Sequence, residues 1–168
     1  QHIAKFFLFT LVVFGVGFSF FSNVFAATWT ERTGAGQHYW RSIASSADGT
    51  KLVAAAGGDS NYIYTSTDSG ATWTQQNQVD LEARDWHAVA SSADGTKLVA
   101  VVGDRNSSSV GYIYTSADSG VNWTERTSAG QLVWKTVASS ADGNTILAGA
   151  RNQNLRVSLD SGATWFEQ

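Results

Sequence analysis

Between residues 40 and 168 apolar and polar positions come in short bursts, and the bursts return in phase. Residues 40–54 read WRSIASSADGTKLVA, residues 86–100 WHAVASSADGTKLVA and residues 134–148 WKTVASSADGNTILA. Each predicts a first strand over W-x-x-[IV]-A-S-S, a tight turn at ADG and a second strand over the apolar run that follows, as in residues 52–56. Asp48, Asp94 and Asp142 are placed to fold back onto the turn backbone, and the Gly after each takes the positive φ that closes it. The second strand is continuously small and apolar instead of alternating, which suits a strand covered on both faces. A third strand rich in Tyr, Ile and Thr then leads into a second polar turn, and a fourth carries a Trp.

That second turn is a motif: STDSGATW over residues 66–73, SADSGVNW over 116–123 and SLDSGATW over 158–165. The Ser and Asp oxygens can bond backbone N–H groups of the turn, the Gly closes it, and the Trp supplies a large apolar cover. Ser66, Asp68, Gly70 and Trp73 recur as Ser116, Asp118, Gly120 and Trp123, and as Ser158, Asp160, Gly162 and Trp165. Four short strands repeating every 42 to 50 residues are the signature of β-propeller blades. The expected fold is all-β: three complete four-stranded blades over about 33–76, 77–126 and 127–168, plus one extra outer strand in TWTER at residues 28–32. Three blades are fewer than usually close a ring, so the expectation is a fragment of a larger propeller, or self-association of the chain.

The Ser-x-Asp-x-Gly-x-x-Trp pattern resembles the Asp-box, or bacterial neuraminidase, repeat of sialidases, and is also similar to that of sortilin-type receptors and photosystem II assembly factors. In that family the box is a fold element lying away from the substrate site, and the resemblance implies the same here. The sialidase Arg-Ile-Pro segment cannot occur in a chain without Pro. Four of the five tyrosines (Tyr62, Tyr64, Tyr112, Tyr114) recur in the third strand, as packing residues do; only Tyr39 is out of register.

Composition narrows the partners. Residues 6–21 form an uncharged apolar run after Lys5, and Val24 and Ala26 fit a signal-peptidase site, so residues 1–27 read as a signal peptide or N-terminal anchor of a secreted or cell-envelope protein. With no Cys, no disulfide holds the remainder. A net charge of −3 argues against nucleic acid and against anionic membrane surfaces, leaving the N-terminal run as the sole membrane contact expected. No His-x-x-x-His or Cys pair exists for zinc, so neither metal nor cofactor is expected. His38 and His87 do not align with one another and read as surface residues.

The turns at one end of each blade are constant, whereas the loops at the other end vary in length, and loops free of a fixed structural duty can carry recognition. That rim gathers Asp80, Glu82, Arg84, Asp85, Asp104 and Arg105 from the second blade, with His38, Tyr39, Asp59 and Arg151 from its neighbours. The expected function is a binding or scaffold propeller for a protein or glycan, without catalytic residues in this segment. The alternatives are part of a sialidase-like glycoside hydrolase with its catalytic residues in other blades, and a photosystem-type assembly factor.

Overall fold

The computed structural model describes residues 29–58, 62–77, 84–103 and 110–168. Glu31–Gln168 forms one compact unit, the second of two along the chain. The signal-peptide segment lies outside the described residues, and none of the described helices is long and apolar enough to cross a membrane.

Among its described residues the second unit contains three antiparallel sheets of four strands, each in simple sequential order. The first contains β1 (Tyr39–Ser45), β2 (Leu52–Gly57), β3 (Ile63–Ser66) and β4 (Thr74–Gln76). The second contains β5 (Trp86–Ser91), β6 (Leu98–Val102), β7 (Ile113–Ser116) and β8 (Thr124–Arg126). The third contains β9 (Trp134–Ser139), β10 (Ile146–Ala150), β11 (Arg156–Ser158) and β12 (Phe166–Glu167). Register repeats with the sequence: Leu52 pairs with Ser45 and Ser66, Leu98 with Ser91 and Ser116, and Ile146 with Ser139 and Ser158.

The core lies between sheets. Val53, Ala55 and Ile63 of the first blade meet Trp86, Val89, Leu98, Tyr114 and Trp123 of the second. Val99, Val101 and Ile113 of the second meet Trp134, Ile146, Ala148 and Trp165 of the third. In β6, therefore, Leu98, Ala100 and Val102 face one neighbour while Val99 and Val101 face the other, which is why the second strands are apolar throughout. The first strands are the inner ones, β1 lying against β5 and β5 against β9.

Two expectations need correction. Residues 29–32 form no strand: a fourth strand needs a third strand beside it, and β3, β7 and β11 already pair with β4, β8 and β12. The motif tryptophans precede the fourth strands by one residue instead of lying within them, because each indole is tied back to its own turn. A 3-10 turn, Thr127–Ala129, follows β8.

Candidate functional site

One end of every blade is locked by its own hydrogen bonds. The Ser66 hydroxyl donates to Asp68 Oδ1 (2.8 Å) and accepts from the Gly70 N–H (2.9 Å). Asp68 accepts from the Thr72 N–H (2.8 Å) and hydroxyl (2.6 Å), and Trp73 Nε1 donates to the Gly70 carbonyl (3.1 Å). The second and third blades repeat this, with Asn122 standing where the others have Thr. At the ADG turns the Ser46 hydroxyl donates to Asp48 Oδ1 (2.6 Å), which also accepts from the Thr50 N–H (3.0 Å). The two turns of each blade are joined: the N–H groups of Ser69, Ser119 and Ser161 donate to the carbonyls of Thr50, Thr96 and Asn144. To reach them, those serines adopt φ of 57°, 61° and 58°, a left-handed conformation held by the surrounding bonds.

These bonds favour ionised carboxylates. Thr72 and then Ser66 hold Asp68 at about 2, Thr164 and Ser158 do the same for Asp160, and Ser46 and Thr50 for Asp48. At Asp118 burial pushes the carboxyl up, but Asn122 and Ser116 outweigh it and hold it low. A depressed folded pKa contributes stability that is complete above the unfolded value near 3.8 and is lost as pH falls toward about 2. The Tm is therefore expected to drop across that window. Asp68→Asn should lower the Tm at pH 7 and shrink the acid-induced drop; a drop of unchanged size in thermal melts would refute the assignment. A cavity of about 170 Å³ at this end is lined by Lys97, Asp118 and Arg126, among others, all engaged in hydrogen bonds to neighbouring side chains.

The opposite end is built differently. In the second and third blades the residue leaving the second strand is tied to the segment entering that blade's own first strand, the Gly103 N–H donating to the Asp85 carbonyl and the Arg151 N–H to the Val133 carbonyl, while Gly111 of the second blade exchanges two bonds with Leu132 at the entry to the third. All three first strands carry a bulge here, between Trp40 and Ser42, Trp86 and Ala88, and Trp134 and Thr136. The bulged residues are Arg41, His87 and Lys135. A bulge re-aims the side chain it extrudes, and in each blade that side chain is basic.

Arg41 Nη2 lies 2.8 Å from Asp85 Oδ1, and Nη1 lies 3.3 Å from His87 Nδ1. Since a guanidinium can only donate, His87 accepts at Nδ1. Burial, and then the charges of Lys135 and Arg41, push the His87 pKa down, so the imidazole is neutral at pH 7. The alignment of Arg41, His87 and Lys135 one residue after each first-strand Trp was present in the sequence. It is visible once His87 is compared with the basic residues of the other blades and not with His38.

Of the rim residues expected from sequence, Asp59, Asp80, Glu82, Asp104 and Arg105 lie outside the described residues. Asp85 joins Arg41, as above. Arg84 sits over the Tyr114 ring, 5.3 Å from its centroid, and 4.0 Å from Glu125, to which the Tyr114 hydroxyl also donates. His38 is half-buried: it stacks on Tyr64 of β3 and meets Trp40 of β1 edge-on. Tyr39 and Arg151 are exposed. The Tyr114–Glu125 pair is a packing element, since Tyr64 donates to Gln75 at the equivalent position. No cluster of potential metal ligands occurs among the described residues.

Neither a family model nor a curated protein matches the chain. Solved structures do. A GH74 enzyme from Niastella koreensis aligns with 77% of the chain at 24% identity and a TM-score of 0.56. YCF48 bound to D1 peptide aligns with 77% at 14% identity and 0.59, and a chain of the Nidogen/Laminin complex with 76% at 12% identity and 0.59. The chain spans 18%, 40% and 47% of those three, respectively. At these identities the likeness is one of fold: the three sheets are blades of a β-propeller.

Proposed function

We propose that the chain is a non-catalytic binding propeller that captures an acidic protein segment at the loop end of its inner strands. The observation that carries this reading is the threefold bulge presenting Arg41, His87 and Lys135 side by side. One carboxylate, that of Asp85, already pairs with Arg41 on the row, which supports a carboxylate-bearing ligand. Two of the fold's relatives were solved with a peptide or protein partner, which supports a protein ligand. We further infer that the locked turns are Asp boxes serving the fold, that residues 1–27 direct export, and that residues 28–168 form the propeller region.

The test is binding of a labelled glutamate-rich peptide by fluorescence anisotropy, with a lysine-rich peptide as control. Lys135→Gln is expected to weaken capture on the order of tenfold, about 1.4 kcal/mol, and added salt should weaken it further. Circular dichroism should be unchanged, because Lys135 is only half-buried. Equal binding of both peptides would end the proposal. Release of reducing sugar from a soluble glycan would replace it with the glycoside hydrolase reading, which the GH74 fold relatives support.

A further inference from the structure

The two internal seams between blades show what a blade face requires, and the two outer faces carry the same apolar pattern with no described residue covering it. On the side facing its predecessor the second blade buries Trp86 (0% exposed) and Val89 (5%); the same positions in the first blade are Trp40 (37%) and Ile43 (77%). On the side facing its successor the second blade buries Val99 (1%) and Ile113 (0%); the same positions in the third are Leu147 (38%) and Leu155 (46%). One outer face thus has the apolar pattern of the left half of a seam, and the other that of the right half.

The backbone repeats the asymmetry. The Ala47 N–H donates to the Ala93 carbonyl and the Ala93 N–H to the Ala141 carbonyl, both at 2.7 Å, a ladder whose ends are the Ala47 carbonyl and the Ala141 N–H. A Cβ on Gly95 would lie 2.7 Å from Lys51 Cβ, and one on Gly143 2.7 Å from Lys97 Cβ, whereas one on Gly49 would meet nothing within 4 Å. The space that the preceding blade's lysine fills beside Gly95 and Gly143 is thus open beside Gly49.

We propose that a second copy of this chain covers both faces, the third blade of each copy seating on the first blade of the other. The match is head-to-tail, so a single such contact would propagate, and two copies related by a two-fold axis close it. The three blades described in each copy would give six in the pair, within the roughly four to eight of closed propellers. One position fits poorly: Arg151 stands where Gly103 admits the Trp134 backbone, so the seam between copies must open at its loop end.

Because the chain has no Cys, the seam can be cross-linked cleanly. In the full 168-residue chain, Ala47→Cys with Ala93→Cys reports the internal seam and serves as the positive control. Chains carrying only Ala47→Cys, mixed with chains carrying only Ala141→Cys, are expected to yield a mixed disulfide dimer on mild oxidation, with neither variant alone forming one. Light scattering of the unmodified chain should give twice the monomer mass. Ile43→Asp should return it to monomer with its circular dichroism unchanged, which association through residues 6–21 would not predict. Arg151→Gly should lower the dimer dissociation constant. A monomer, an open series of higher oligomers, or a dimer indifferent to Ile43→Asp would overturn the proposal.

Discussion

Trp134→Ala is expected to cost about 3–5 kcal/mol, and Trp40→Ala, at the same position of the first blade, less than half of that. The two residues share strand, register and bulge, and differ in what lies over them. Trp134 is fully buried among Val99, Val101 and Ile113, and its Nε1 donates to the Gly111 carbonyl at 3.1 Å, so truncation both leaves a cavity and removes a buried hydrogen bond. Trp40 is 37% exposed and, among the described residues, meets the rings of its own blade, Tyr64 edge-on at 5.2 Å and His38 at 5.1 Å. Chemical denaturation of both variants in an Ile43→Asp background, which keeps the chain monomeric, is the measurement. Equal losses would mean that the tryptophans act within their own sheets and that the seams contribute little.

This contrast also marks what could be read in the chain. The four-strand period, both turns and their phase were legible because each rests on local chemistry: Asp48 and Asp68 bond N–H groups within four residues of themselves, and Gly49 and Gly70 take the positive φ that ends each turn. The left-handed Ser69 was not legible, because its conformation is imposed by the Thr50 carbonyl, nineteen residues earlier and in another turn. The candidate site was half legible. Asp85 was named as a rim residue, but its partner Arg41 belongs to the preceding blade, 44 residues away, and no periodicity pairs them. Arg84, expected to project, is drawn inward by the Tyr114 ring. Sequence patterns report on faces and turns, whereas a side chain crossing from one blade to the next is fixed only when the sheets meet.

Gly103→Ala is expected to be nearly as damaging as loss of Trp134, and Gly57→Ala far less so, although the two glycines occupy the same place in successive blades. A Cβ on Gly103 would lie 2.9 Å from the backbone N and C of Trp134 and closer still to its carbonyl oxygen. Backbone cannot rotate away as a side chain can, so the whole seam between the second and third blades must part. Overpacking of this kind costs on the order of 3 kcal/mol, roughly 10 °C in Tm for a unit of this size. A Cβ on Gly57 would instead strike the Arg41 guanidinium, the mobile end of a long side chain. Relief there is inexpensive in stability but drives Arg41 away from Asp85 and His87, the contacts that hold the basic row together. The two variants should therefore separate by readout. Gly103→Ala should lower the Tm, and Gly57→Ala should hold the Tm within about 3 °C while weakening capture of an acidic peptide. If Gly57→Ala bound the peptide as well as the parent chain, Arg41 would have no part in recognition, and the basic row would be reduced to a device for joining the first blade to the second.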